Sequence, residues 1–117
     1  MITVIGMGPG HVDYVTPAAA AALRQAERVI AFGRIAETAE QLGATVSRVA
    51  QVAEVMPLLA SHLRIAILAS GDPGFFGITA YLQQQGVTID KIIPGLSAFQ
   101  YFMAALQKNW QTAQFLS

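Results

Sequence analysis

The run Ile65-Ala66-Ile67-Leu68-Ala69 breaks off abruptly at Ser70-Gly71-Asp72-Pro73-Gly74. No polar residue interrupts it, which suits a strand buried on both faces of a parallel sheet better than a half-exposed hairpin strand. Asp72 can cap a helix by accepting a backbone N–H, and Pro73 fits the first helical position, where its missing N–H is not needed. The stretch therefore predicts a central strand, a sharp turn and a helix. In open α/β sheets, the turn at a strand's carboxyl end is where ligands bind. The same residue types also serve an ordinary strand-to-helix turn, so the rest of the chain has to decide.

In chain order, the pattern predicts strands over 2–5, 28–32, 45–49, 65–69 and 87–93. Helices are expected over 17–26, 35–42, 52–63, 73–85 and 96–106, with a further strand beginning over 111–116. Thr16 and Pro17 supply a cap and a first helical residue, and Gly43 and Gly86 stand where helices stop. Phe99, Met103 and Leu106 recur at helical spacing and are expected to face the core. Strand and helix alternate with short links. This predicts one doubly wound α/β domain, with a mainly parallel five-stranded sheet and helices on both faces. Three Gly/Pro-marked loops, over 6–10, 70–74 and 94–97, then fall on the same sheet edge.

Composition narrows the function classes. Seven basic and seven acidic side chains cancel, so nothing points to nucleic acid or an anionic membrane. The absence of Cys excludes disulfides, thiolate metal sites and a Cys nucleophile. No apolar run approaches the roughly 18 residues of a membrane span, and no basic region precedes the first apolar stretch as a secretory signal requires. A soluble cytoplasmic domain is expected. Yet 54% of the 117 residues are hydrophobic and 12% charged, rich for a domain bathed on all sides. Part of the surface is expected to face another domain or subunit, by homodimerisation or other self-association.

Several chemistries can be tested against the residues. Gly6-Met7-Gly8-Pro9-Gly10 approaches a dinucleotide fingerprint, but its third Gly comes one residue early and Pro9 removes a backbone donor. Gly33-Arg34 follow the second strand where an acid would hold a ribose. A phosphate-binding Gly-Lys-Ser/Thr loop is absent. Gly95-Leu96-Ser97-Ala98-Phe99 approaches a nucleophile elbow, but Phe99 replaces the closing Gly, and Ser97 reads better as a helix-start hydroxyl. His11 and His62, isolated and without Cys, make a poor metal site; His62 reads as a solvated residue near a helix end.

Taken together, Gly-x-Gly-Pro-Gly after the first strand, Ser-Gly-Asp-Pro-x-x-x-Gly after the fourth and Pro-Gly-x-Ser-Ala after the fifth resemble the tetrapyrrole methylases. That family transfers methyl groups from S-adenosylmethionine to precorrins and uroporphyrinogen. Within it, Gly77-Ile78-Thr79 and Asn109-Trp110-Gln111 resemble the enzymes that methylate C5 of a corrin precursor in cobalamin synthesis. The resemblance covers essentially the whole chain but only the amino-terminal half of such an enzyme. It implies cofactor contacts at Pro9, Ser70, Gly71, Asp72, Phe75, Ser97 and Ala98, and a wall facing the tetrapyrrole at Gly8 and Gly10. Arg34, leaving the second strand at the same edge, is a candidate partner for a tetrapyrrole carboxylate. Some relatives carry an acid after the second strand; Gly33 stands there, so no general base is assigned. The resemblance also implies that residues 1–117 alone are inactive, because a second domain closes the cleft. Other methylations within the family, and a non-catalytic nucleotide-binding or interaction module, remain alternatives at this point.

Overall fold

A computed structural model of the chain describes residues 1–70 and 77–96. Within them, five strands form a single sheet: β1 (Ile2–Gly6), β2 (Arg28–Phe32), β3 (Val46–Val49), β4 (Ile65–Ala69) and β5 (Lys91–Ile93). Their spatial order is β3-β2-β4-β1-β5, and every pairing is parallel. The central ladder is also the longest, running from Ile2 opposite Ile65 to Gly6 opposite Ala69. All of β4 is buried, as its unbroken apolar run requires.

Among the described residues, three helices cross between strands: α1 (Pro17–Gln25), α2 (Gly33–Gln41) and α3 (Gly77–Gln84). Thr16 Oγ1 accepts from the Ala19 N–H at 3.1 Å and Pro17 opens α1, the cap chemistry expected from the sequence. Alternation along the strands divides the core in two. Ile5, Ala66 and Leu68 face α1 and α2, packing with Ala19, Leu23, Ile35, Ala36 and Ala39. Ile2, Val4, Ile65, Ile67 and Ala69 face the other way, against Val55 and against Ile78 and Leu82 of α3. Helices thus cover both faces, the doubly wound arrangement.

Three local expectations change. Residues 52–63 do not make one helix. They form two 3₁₀ turns, Val52–Glu54 and Met56–Leu58, followed by a hydrogen-bonded bend. Pro57 lacks the N–H that a continuous helix would need and crowds the preceding turn. Glu54 Oε2 meanwhile accepts from the Ala50 N–H at 2.6 Å, and Arg28 Nη1 donates to Leu58 O at 2.6 Å, fixing both ends. His62 is exposed, in that bend rather than at a helix end. β5 is shorter than 87–93 because Asp90 ends the ladder. Its Oδ2 accepts the Ile2 N–H at 2.7 Å while its own N–H reaches Ile2 O at 2.8 Å. Finally, α2 starts at Gly33, two residues early, because Gly33 at φ +40° lets the chain turn directly from strand to helix.

Leu82 is fully buried and ties α3 to β1 and β4. Leu82→Ala should destabilise the fold by about 2–5 kcal/mol in urea titration, since the surrounding strands cannot collapse into the cavity.

Candidate functional site

Neighbouring strands β1 and β4 send their connections to opposite faces: β1 leads into α1, β4 towards α3. Such a divergence opens a crevice at the strands' carboxyl ends. The first loop is built into that crevice. Met7, one residue past β1, is fully buried, and its N–H donates to Ala69 O at 2.8 Å. Gly8 follows at φ +76°, where a Cβ would lie 2.8 Å from the Tyr14 carbonyl oxygen; no other residue fits without displacing that turn. Pro9 and Gly10 are exposed.

Beyond them, His11 caps the 3₁₀ turn Val12–Tyr14, its Nδ1 accepting the Asp13 N–H at 3.1 Å. An accepting Nδ1 places the ring proton on Nε2, so the 3.5 Å approach of Asp13 Oδ2 to Nδ1 is not an ion pair in this form. The imidazole stands edge-on to the Tyr14 ring, with centroids 6.1 Å apart.

From β2, the chain enters α2 with Phe32 at the N-cap position and no side-chain hydrogen bond closing the first turn. Arg34 is exposed in that turn, while Ile35 points inward. From β4, Ser70 emerges exposed. Between these strand ends lies an open recess of about 250 Å³, lined by Phe32, Ile35, Leu68, Ala69, Ser70 and Ile78. Among the described residues, the lining carries one hydroxyl and no ionisable side chain. Elsewhere, Glu40 raises the Arg48 pKa, first by their side-chain hydrogen bond and then by its charge. That exposed pair joins α2 to the edge strand β3. Among the described residues, no cluster of three or more His, Asp or Glu could hold a metal ion. Nor is any helix among them long and apolar enough to cross a membrane.

Of the residues singled out by sequence, Gly8, Pro9, Gly10, Arg34 and Ser70 all sit at the carboxyl edge, and Ser70 lines the recess. Pro9 and Arg34 share the edge without lining it. Gly8 is buried beneath Tyr14, a packing position. Gly71, Asp72, Phe75, Ser97 and Ala98 lie outside the described residues, as do the expected helix over 96–106 beyond Leu96 and the strand over 111–116. Phe32 and Ile35 were not singled out in the sequence, because their apolar side chains carry no chemical signature; Ile78 stood there within the Gly77-Ile78-Thr79 resemblance, without a role in the site. Sequence reasoning also overlooked Thr38, the buried polar member of the stripe Ile35-Ala36-x-Thr38-Ala39, whose hydroxyl donates to Gly10 O at 3.1 Å.

The sequence profile of the tetrapyrrole (corrin/porphyrin) methylases matches residues 1–116. Among curated proteins, the cobalt-precorrin-7 C(5)-methyltransferase of Salmonella typhimurium is 36% identical over 108 residues, covering 89% of this chain and 54% of that protein. The chain thus spans about half the length of the curated relative it matches. The fold is shared with the precorrin-6Y methylase of Archaeoglobus fulgidus, at TM-score 0.68 and 21% identity, covering 95% of this chain and 60% of that one. The uroporphyrin-III-C-methyltransferase of Thermus thermophilus is similar at TM-score 0.71 and 22% identity, with 91% and 52% covered.

The two loop glycines should respond unequally to substitution. Gly10→Ala, at φ +99° with nothing near its Cβ, should cost about 1–2 kcal/mol of backbone strain. Gly8→Ala adds the clash with Tyr14 O and should lower the denaturation midpoint clearly further.

Proposed function

Because the chain belongs to the tetrapyrrole (corrin/porphyrin) methylases, we propose that it forms the amino-terminal half of an S-adenosylmethionine-dependent C-methyltransferase. Its substrate on this reading is a corrin precursor, cobalt-precorrin-7 methylated at C5. The likeness to the Salmonella enzyme supports that substrate and carries the proposal. The recess at the divergence of β1 and β4 supports the ligand-binding part of the reading, since its apolar walls and backbone-rich rim suit a flat ring with a polar tail.

When bound, the sulfonium cofactor supplies a methyl group already activated towards a carbon nucleophile of the electron-rich macrocycle. The protein's part is then to hold, align and keep dry. Alignment of two reactants can contribute up to roughly 7–11 kcal/mol of barrier reduction, and apolar walls such as those of the described lining suit that role. On this reading Pro9 and Ser70, with Gly71, Asp72, Phe75, Ser97 and Ala98, hold the cofactor. Gly8 and Gly10 shape the wall towards the tetrapyrrole. Arg34, exposed beside the recess in the first turn of α2, pairs with one of the macrocycle's carboxylates.

Calorimetry on the full-length protein tests the cofactor assignment. S-adenosylhomocysteine should bind while NAD and ATP do not, and heat from none of the three would remove the assignment. Asp72→Ala should weaken that binding beyond what its lower stability explains; unchanged affinity with a lower melting temperature would leave Asp72 as a helix cap. Arg34→Ala should raise the KM for the corrin substrate severalfold with kcat little changed, and an unaltered KM would release Arg34 from the site.

A further inference from the structure

Thr38 is 3% exposed, in the middle of α2, a position where a polar side chain needs a reason. Its Oγ1 stands 3.1 Å from Gly10 O and 3.2 Å from Arg34 O. Both neighbours are carbonyls and the hydroxyl has one proton. Within a helix, the Arg34 carbonyl already receives the Thr38 N–H, which leaves Gly10 O as the acceptor with more to gain. The bond crosses from α2 to the first loop, between residues 28 apart in sequence.

The position of that bond gives it a consequence beyond stability. Thr38 stands one helical turn after Ile35, so both occupy the same face of α2, and Ile35 lines the recess. Among the described residues, the loop is also attached through Met7 N–H to Ala69 O, at the end of β4, and through Gly8 packed beneath Tyr14. Between Gly8 and His11, the Thr38 hydroxyl ties the loop directly to α2. We infer that Thr38 is a positioning residue: it clamps Gly10 so that the segment carrying Pro9 is held at a fixed height beside the recess. The inference rests on the function proposed above, because the loop's height matters only to a ligand that bridges loop and recess.

The test combines a ligand-free readout with a binding one in the full-length protein. Thr38→Val keeps the volume and removes the hydroxyl, whereas Thr38→Ser keeps the hydroxyl and removes a methyl. In Thr38→Val, amide exchange at Gly10 and His11 should speed up. Affinity for S-adenosylhomocysteine should fall roughly three- to tenfold, the worth of one hydrogen bond. Thr38→Ser should restore both even if its melting temperature stays low, which a purely structural role would not produce. Unchanged exchange in Thr38→Val, or faster exchange with unchanged affinity, overturns the inference while leaving the methyltransferase reading intact. A wild-type protein that binds no S-adenosylhomocysteine overturns that reading, and with it this role for Thr38.

Discussion

The parallel pairing of β1 with β4 is the constraint from which the rest of the architecture follows. Strands that run the same way cannot be joined by a tight turn, so each must send its chain across a face of the sheet before returning. With β1 and β4 adjacent and fully laddered from Ile2 to Gly6, their outgoing chains compete for space unless they leave by different faces. They do, and the gap left between them is the crevice. The Met7–Ala69 hydrogen bond carries the ladder one step past the strand, so that the first loop begins as an extension of the sheet. A site assembled on such a base inherits the rigidity of the most deeply buried pair of strands.

Much of this was legible in the residues. The uninterrupted apolar run of β4 announced a strand covered on both faces, and Thr16-Pro17 announced the start of α1, because each feature depends on local chemistry. Where the reading went astray, long-range partners decided. Asp90 takes over the hydrogen bonds of Ile2, eighty-eight residues away, and shortens β5; no window of sequence contains that competition. Pro57 did carry a warning against a long helix, but it was compatible with a first-turn position until the burial of Val55 and the Arg28 contact fixed the chain in two tight turns.

The site was legible in a different way. Its glycines and prolines mark backbone shape, and backbone shape is what brings Gly8, Pro9 and Gly10 to the carboxyl edge alongside Ser70 and Arg34. The apolar side chains that line the recess left little mark, since Phe32 and Ile35 look in sequence like any other core residues and Ile78 entered only as part of a motif. The described lining is hydrocarbon plus the Ser70 hydroxyl, so it carries little of the chemistry by which a site is usually recognised in a sequence. Thr38 lies between these cases. It interrupts an otherwise apolar helical stripe, a discernible irregularity whose meaning depends on knowing which carbonyl it faces.

The unequal faces of β4 have a consequence for how the chain finds its register. A strand buried on both sides lacks the polar–apolar alternation that usually forbids a one-residue slip. In β4 side-chain bulk replaces polarity: Ile65 and Ile67 point to the α3 side, whereas Ala66 with Leu68 faces α1 and α2, where the alanines of both helices come close. Sliding the strand by one residue would drive branched side chains into space shaped for a methyl group and leave voids opposite. Mispairing is thus rejected by volume mismatch rather than by solvation, and accepted sequence change along β4 is expected to occur as compensating pairs across a layer.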